Sequence, residues 1–230
     1  MAGEPMYFVT QVAPYREGPA GVHGVLDQAA TAMSELARLS GLEPVHVADV
    51  SGLSPEDLGG AALLSLFTIG ETPWSVEQRA AILSGVRSGR MSIVGLHAAT
   101  DACRDWDEYG TLMGARFDGH PWTQDIEMDV LNHSHPATAH LGEAWRLRDE
   151  VYLFRDLRPD ADVLIRVRDG TLDMSVEAAR RPSCGFPLAW SFTEGSGRIF
   201  YTALGHFPSA WENPVFLRHV LGGITWARSG

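Results

Sequence analysis

The alternation of apolar runs with amphipathic stretches across the first hundred residues constrains the fold most. Tyr7 to Val12 is a short apolar run ending in Ala13-Pro14. The segment Val25 to Leu39 then sets Leu26, Ala29, Ala30, Met33, Leu36 and Ala37 at i, i+3, i+4, i+7 spacing, one face of a helix. Gly41 stands at a helix stop, Pro44 to Val47 resumes a strand-like run, and Ala61 to Phe67 gives a third. Neither of the last two alternates cleanly, so both are expected to be buried on two faces, as in a parallel sheet. Ser75 with Gln78 fits a capping box, Ala81, Ile82 and Val86 supply the buried stripe of the helix it opens, and Gly89 ends it. Met91 to Leu96 is a fourth strand. Strands and helices alternating in this way close through right-handed crossovers into an open α/β sheet covered on both sides.

Beyond His97 the pattern changes. Ile126 to Val130, Trp145 to Arg148, Val151 to Phe154 and Val163 to Val167 are short strand candidates, and Leu188 to Phe192 and Arg198 to Ala203 flank Glu194-Gly195-Ser196-Gly197 as a hairpin. The mostly parallel sheet is therefore expected to gain antiparallel strands in its C-terminal half. From Asn213 to Ala227, Phe216, Leu217, Val220, Leu221 and Ile224 form a helical stripe, with Pro214 where a first-turn proline is tolerated.

Composition narrows the partners. Eighteen Lys plus Arg against twenty-nine Asp plus Glu leave a net charge of −11, which repels phosphate backbones and anionic headgroups. Nucleic acid is not an expected partner. Nor is a membrane, because no stretch approaches the roughly 18 consecutive apolar residues of a spanning helix. Met1 to Met6 lacks the basic and apolar regions of a signal peptide, which makes the cytoplasm the expected address. Cys103 and Cys184 are too few for a disulfide framework, although one bridge between them is open. At 230 residues, one domain over 1–230 is the expectation.

In an open α/β sheet, ligands bind beyond the carboxyl ends of the strands, so polar residues just after apolar strands take priority. His97 follows Ser92-Ile93-Val94-Gly95-Leu96 and precedes the small pair Ala98-Ala99. His206 follows the run from Arg198 to Leu204 and Gly205. Imidazoles at two strand ends could meet in one crevice, to bind a metal or exchange protons near neutral pH, or could be a pair of hydrogen-bonded structural histidines.

The segments Gly95-Leu96-His97-Ala98-Ala99-Thr100, Trp106-Asp107-Glu108-Tyr109 and Gly114-Ala115-Arg116-Phe117-Asp118-Gly119-His120-Pro121 resemble the trehalose-utilisation ThuA family. The resemblance continues through His135-Pro136-Ala137-Thr138, Asp149-Glu150-Val151-Tyr152, Pro187-Leu188-Ala189-Trp190, the stretch from Gly197 to His206, and Gly222-Gly223-Ile224-Thr225-Trp226-Ala227. It implies a flavodoxin-like, class I glutamine amidotransferase-like layered fold. In amidotransferases of that fold a Cys occupies a sharp strand-to-helix turn and a late His activates it. Here His97 takes the Cys position and His206 resembles the late His, so the resemblance implies that glutamine hydrolysis is lost. It points instead to a sugar or keto-sugar, acted on by isomerisation, epimerisation or elimination and supplied by a partner sugar dehydrogenase. A divalent zinc or manganese held by His97 and His206 is compatible with this, and no nucleotide cofactor is expected.

Further candidates follow from placement. Glu150 is a candidate base or carboxylate ligand, or a partner of Arg148 or Arg155 in a surface ion pair, and Tyr152 is expected on the same strand face because side chains alternate with period two. His120 and His135 each precede Pro, which favours loops near strand ends. Trp106, Trp190 and Trp211 offer flat faces to sugar C–H groups unless they are core, and His23 is placed to reach the crevice from the first loop, Pro14 to Gly24. Three readings compete: a carbohydrate enzyme using His97, His206, Glu150 and Tyr152; a non-catalytic carbohydrate-binding or regulatory module; and a residual hydrolase using Cys103 or Ser92, disfavoured because neither occupies the turn.

Overall fold

The computed structural model describes residues 3–13 and 25–229. His23 and the first loop, Pro14 to Gly24, lie outside the described residues. The first strand, β1, is Glu4–Val9, earlier than the apolar run suggested, with Val12 making only a bridge to Ile69. Helix α1 (Leu26–Leu39) buries Ala29, Ala30, Met33, Leu36 and Ala37, the stripe expected of it. There follow β2 (Leu42–Val47), the short α2 (Pro55–Gly60) and β3 (Leu63–Leu66), whose four residues are all buried. Helix α3 (Val76–Arg87) opens on the capping box of Ser75 and Gln78, and β4 (Ser92–Leu96) is buried throughout.

The C-terminal half contributes α4 (Asp107–Met113), β5 (Arg116–Phe117), β6 (Trp122–Val130), β7 (Ala144–Val151), β8 (Phe154–Arg155), β9 (Asp162–Val167), β10 (Pro187–Glu194), β11 (Gly197–Thr202), α5 (Pro208–Trp211) and α6 (Pro214–Arg228). A nine-stranded sheet runs β2-β1-β3-β4-β11-β10-β9-β6-β7, with β5 and β8 forming a separate antiparallel pair. The strands from β2 to β11 are mutually parallel, and those from β11 onward pair antiparallel. The two-residue turn Gly195-Ser196 closes the β10–β11 hairpin, with Gly195 at φ +62, a conformation that favours glycine.

Pleating sends alternate residues of β11 to opposite faces. Phe200 meets α6 at Gly223, whereas Tyr201 lies with Met113, the last residue of α4, over Gly95 and stacks on Trp190. Helices thus cover both faces, as the alternating sequence pattern requires. One segmentation differs from the sequence reading. The expected strands Trp145 to Arg148 and Val151 to Phe154 are instead a single strand, β7, followed by a break at Tyr152-Leu153 and the tiny β8. Tyr152 therefore lies beyond the strand, and period-two alternation does not set its direction. Cys103 and Cys184 are both free thiols, so no bridge joins them. Among the described residues no helix is long and apolar enough to cross a membrane.

Two features of the sheet position the site. Strands β4 and β11 are parallel neighbours in register, Thr202 beside Leu96, so the residues leaving their C-terminal ends, His97 and Ala203, are adjacent. Strand β7 lies at the far edge, separated from β11 by β10, β9 and β6, yet the Asp149 carboxylate accepts the backbone N–H groups of Gly205 and His206. The antiparallel half must therefore curl across the carboxyl ends of the parallel strands, as the cumulative right-handed twist of successive strands allows.

Candidate active site

His97 is the first residue past β4 and opens a short 3-10 turn, His97–Asp101, rather than entering an α-helix directly. Its φ of +45 places it in the left-handed region, a strained setting for a residue with a Cβ. The strain is held by its surroundings. The Tyr201 hydroxyl donates to the His97 carbonyl at 2.6 Å, and Gly95 leaves the space Tyr201 needs, since a Cβ there would meet the Tyr201 ring at 2.9 Å.

The His97 ring is oriented by register. Its Nδ1 lies 2.8 Å from the Ala203 carbonyl oxygen, which can only accept, so Nδ1 carries the proton and Nε2 of the neutral ring presents a lone pair. Three groups surround that lone pair. The Tyr152 hydroxyl donates to it at 2.8 Å, His206 Nδ1 is 3.2 Å away, and a Glu150 oxygen, Oε2, is 3.7 Å away. Glu150 Oε2 is also 3.4 Å from His206 Nδ1, and its other oxygen is 3.4 Å from His120 Nδ1. One ligand atom from each of His97, Glu150 and His206 falls within 4.8 Å of the others, which makes a three-residue set able to hold a metal ion.

Solvent reaches this cluster from one side. The His97 side chain is 1% exposed and Glu150 10%, whereas His206 is 26% and His120 45% exposed, so the opening lies on the side of the last two. Burial, reinforced by the nearby Asp149 charge, pushes the Glu150 carboxyl up to about 7. Burial lowers both His120 and His206 below the ordinary imidazole value, and the charge of His120 depresses His206 further. The Tyr152 phenol is raised well above its usual value by burial and then by Glu150. Near neutral pH the cluster thus holds neutral His120 and His206 rings beside a carboxyl poised between its two states, the condition proton transfer favours.

Of the residues singled out from sequence, His97, His206, Glu150, Tyr152 and His120 are brought together. Phe117 adds a wall, its ring edge-on to Tyr152 and tilted against His120. Glu150 has no ion pair with Arg148 or Arg155 among the described residues; imidazoles surround it instead. Three other candidates are placed elsewhere. Trp190 is fully buried, stacked on Tyr201 with its indole N–H donating to the Met113 carbonyl, so no sugar can reach it. Trp106 is core as well, tilted against Tyr109 beneath the Arg79 guanidinium. His135 packs between Phe200 and Trp226, against α6, and its Nδ1 accepts the Ala137 N–H. In all three cases the apolar neighbourhood fixes the role, and a single sequence does not display it.

Sequence reasoning passed over Asp149. It is fully buried and touches the backbone of two cluster residues, Glu150 and His206, at 2.9 and 3.2 Å. Its only sequence signal is its place immediately before Glu150. A groove of about 440 Å³ lined by Asp27, Thr31, Glu35, Trp211, Glu212 and Leu217 contains none of the cluster.

Comparison with known proteins agrees with the fold. A family model described as ThuA, trehalose utilisation, matches residues 12–227. No curated protein matches the sequence. Among solved structures, a ThuA-like protein from Bacteroides uniformis superposes with a TM-score of 0.78 at 18% identity, over 98% of this chain and 92% of that one. A ThuA-like protein from Parabacteroides merdae gives the same score and identity over 100% and 91% of the two chains. The β-galactosidase of Rahnella sp. R3 contains a similar fold, with a TM-score of 0.58 and 12% identity over 97% of this chain but 31% of that one.

Proposed function

Because the chain belongs to the ThuA family, whose description ties it to carbohydrate use, we propose that it is an enzyme that moves protons on a sugar or keto-sugar at the His97–Glu150–His206 cluster. The observation that carries this reading is the convergence of His97 Nε2, His206 Nδ1 and Glu150 Oε2 at the mouth of the β4 and β11 strand ends. Lone pairs this close repel one another unless a proton, as on His206 Nδ1, or a cation lies among them. Either occupant supports transfer of a proton next to a carbonyl, and hence isomerisation, epimerisation or elimination.

The donor set suits a divalent cation. Two imidazoles and a carboxylate with an open side are the ligands of many catalytic zinc sites, and manganese accepts the same atoms. The His97 Nδ1–H bond to the Ala203 carbonyl is the outer-shell contact that fixes the tautomer of a ligating histidine. When bound, zinc or manganese would supply Lewis-acid polarisation of a substrate carbonyl. His97, His206 and Glu150 would hold it, leaving the Tyr152 hydroxyl and the half-exposed His120 to carry protons. A keto-sugar substrate implies a sugar dehydrogenase as the enzyme that supplies it.

Metal analysis of the untagged protein and turnover assays on keto-sugars test the reading. His97→Ala and His206→Ala are each expected to lose about 10²- to 10⁴-fold in kcat/KM, the range of general acid–base contributions. Full turnover by both variants on an identified substrate would overturn the assignment. Sugar binding without product under every divalent metal tried would instead make the protein a carbohydrate-binding module.

A further inference from the structure

Two of the three clustered side chains hang from backbone that one other residue holds. Asp149 Oδ1 accepts the N–H of Glu150 at 2.9 Å and the N–H of His206 at 3.2 Å, while Oδ2 accepts the N–H of Gly205 at 2.7 Å. The carboxylate is 0% exposed and has no cationic partner among the described residues. Taking an ionised carboxyl out of water is costly, and only donors aimed at its oxygens compensate. Here those donors are backbone amides from the far edge strand and from the end of a central strand.

The Gly205-His206 turn is restrained from its other side as well. The Trp211 indole N–H donates to the Gly205 carbonyl at 2.9 Å, and Gly205 has a φ of +118 with Phe216 and Trp211 both 3.3 Å from where a Cβ would stand. Two residues earlier in the chain, the Ala203 carbonyl orients His97. All three members of the cluster are thus referred to the segment 203–206, and Asp149 is the link that ties this segment to Glu150.

We propose that Asp149 is a positioning residue: by accepting the amides of Glu150, Gly205 and His206 at once, it fixes the spacing of the Glu150 carboxylate from the His206 imidazole before any cation or substrate arrives. The proposal rests on the reading of the cluster as the functional site, but the spacing it describes exists with or without a metal. An apolar residue at 149 would fill the space and leave three buried N–H groups without acceptors. Asparagine would keep the size, yet its amide would turn an N–H group toward a backbone N–H, breaking at least one of the three bonds.

Asp149→Asn in the full chain is the test, with two readouts. The first needs no metal: in protein labelled with 15N in its histidine rings and stripped by chelator, the His206 ring resonances should shift and broaden in the variant while those of His219, in another part of the core, stay in place. The second is titration with cobalt(II), where the variant should bind at least about tenfold more weakly, within the range that outer-shell losses produce. Unchanged His206 resonances in a folded variant would overturn the proposal, whatever the metal result. Failure of the wild type to bind cobalt(II) would remove the metal reading and leave the first readout decisive. If the variant does not fold, hydrogen exchange of the wild type decides, because the Gly205 and His206 amides should be strongly protected and free exchange of both would refute the clamp.

Discussion

At the scale of single residues, the most informative group is the Tyr152 hydroxyl. It donates at 2.8 Å to His97 Nε2, the lone pair a cation would need. A phenol held far above its usual acidity by burial stays protonated, so it competes with a metal rather than assisting it. Tyr152→Phe should therefore bind zinc or manganese as tightly as the wild type or several-fold more tightly, since a net hydrogen bond of about 1 kcal/mol no longer opposes the ion. Its turnover should fall. Calorimetric titration of metal-free protein checks the sign, and markedly weaker binding would make the phenol a ligand. The sequence made His97 and His206 legible because each follows an apolar strand, and Glu150 and Tyr152 because of their shared motif. It did not separate His120 from His135, two histidines in the same His-Pro setting, because the difference between them lies in what packs against each. His120 faces Glu150, while His135 is enclosed by Phe200 and Trp226.

At the scale of elements, the parallel half was legible because β3 and β4 are short runs buried on both faces and each helix carries a cap or a stripe; β2, expected to be buried in the same way, is instead the edge strand, with Glu43 and His46 exposed. The Ser75 and Gln78 box and the stripe of α1 are local signals, and local structure followed them. The β7 region was not legible in the same way. Its exposed arginines break the apolar run, and the path that carries Asp149 and Glu150 over the β11 end is set by twist accumulated across the sheet. Helix α6 shows the same dependence on packing. Exchanging a mid-helix glycine for alanine ordinarily gains about 1 kcal/mol. At Gly222 the new Cβ would collide with the Pro136 carbonyl and lie 2.5 Å from the Ala137 Cα, backbone that cannot swing aside as a side chain can. Overpacking of this kind costs roughly 1–3 kcal/mol or more, so the steric term outweighs propensity. Gly222→Ala should lower the Tm and the urea midpoint, and an increase in either would show that the loop 133–141 yields.

For the whole molecule, stability against pH joins the core to the site. His219 is fully buried, with Nδ1 donating to the Ala137 carbonyl at 2.9 Å, and burial pushes it down to about 4 from the 6.5 of an unperturbed imidazole. The folded chain keeps this ring neutral while the unfolded chain takes up a proton below pH 6.5. Its contribution is therefore complete above 6.5, falls as the pH drops toward 4, and is constant below that. Across that window the loss amounts to about 3 kcal/mol. Asp149 and Glu150 act with the opposite sign: burial raises both to about 7, so the folded state gains protons, and stability, as the pH falls from 7 toward 4. The contributions oppose one another, so the wild-type curve alone will not separate them. Comparison with His219→Asn isolates one of them, because the asparagine amide can still donate to Ala137 but does not titrate. At pH 7.5 the variant should be the less stable protein, by the cost of the cavity left by the smaller side chain. By pH 4 the gap should close by about 3 kcal/mol in urea unfolding, because only the wild type loses stability through its histidine. A gap that stays constant with pH would mean that the folded chain admits a charged imidazole between Trp145, Phe200 and Phe216.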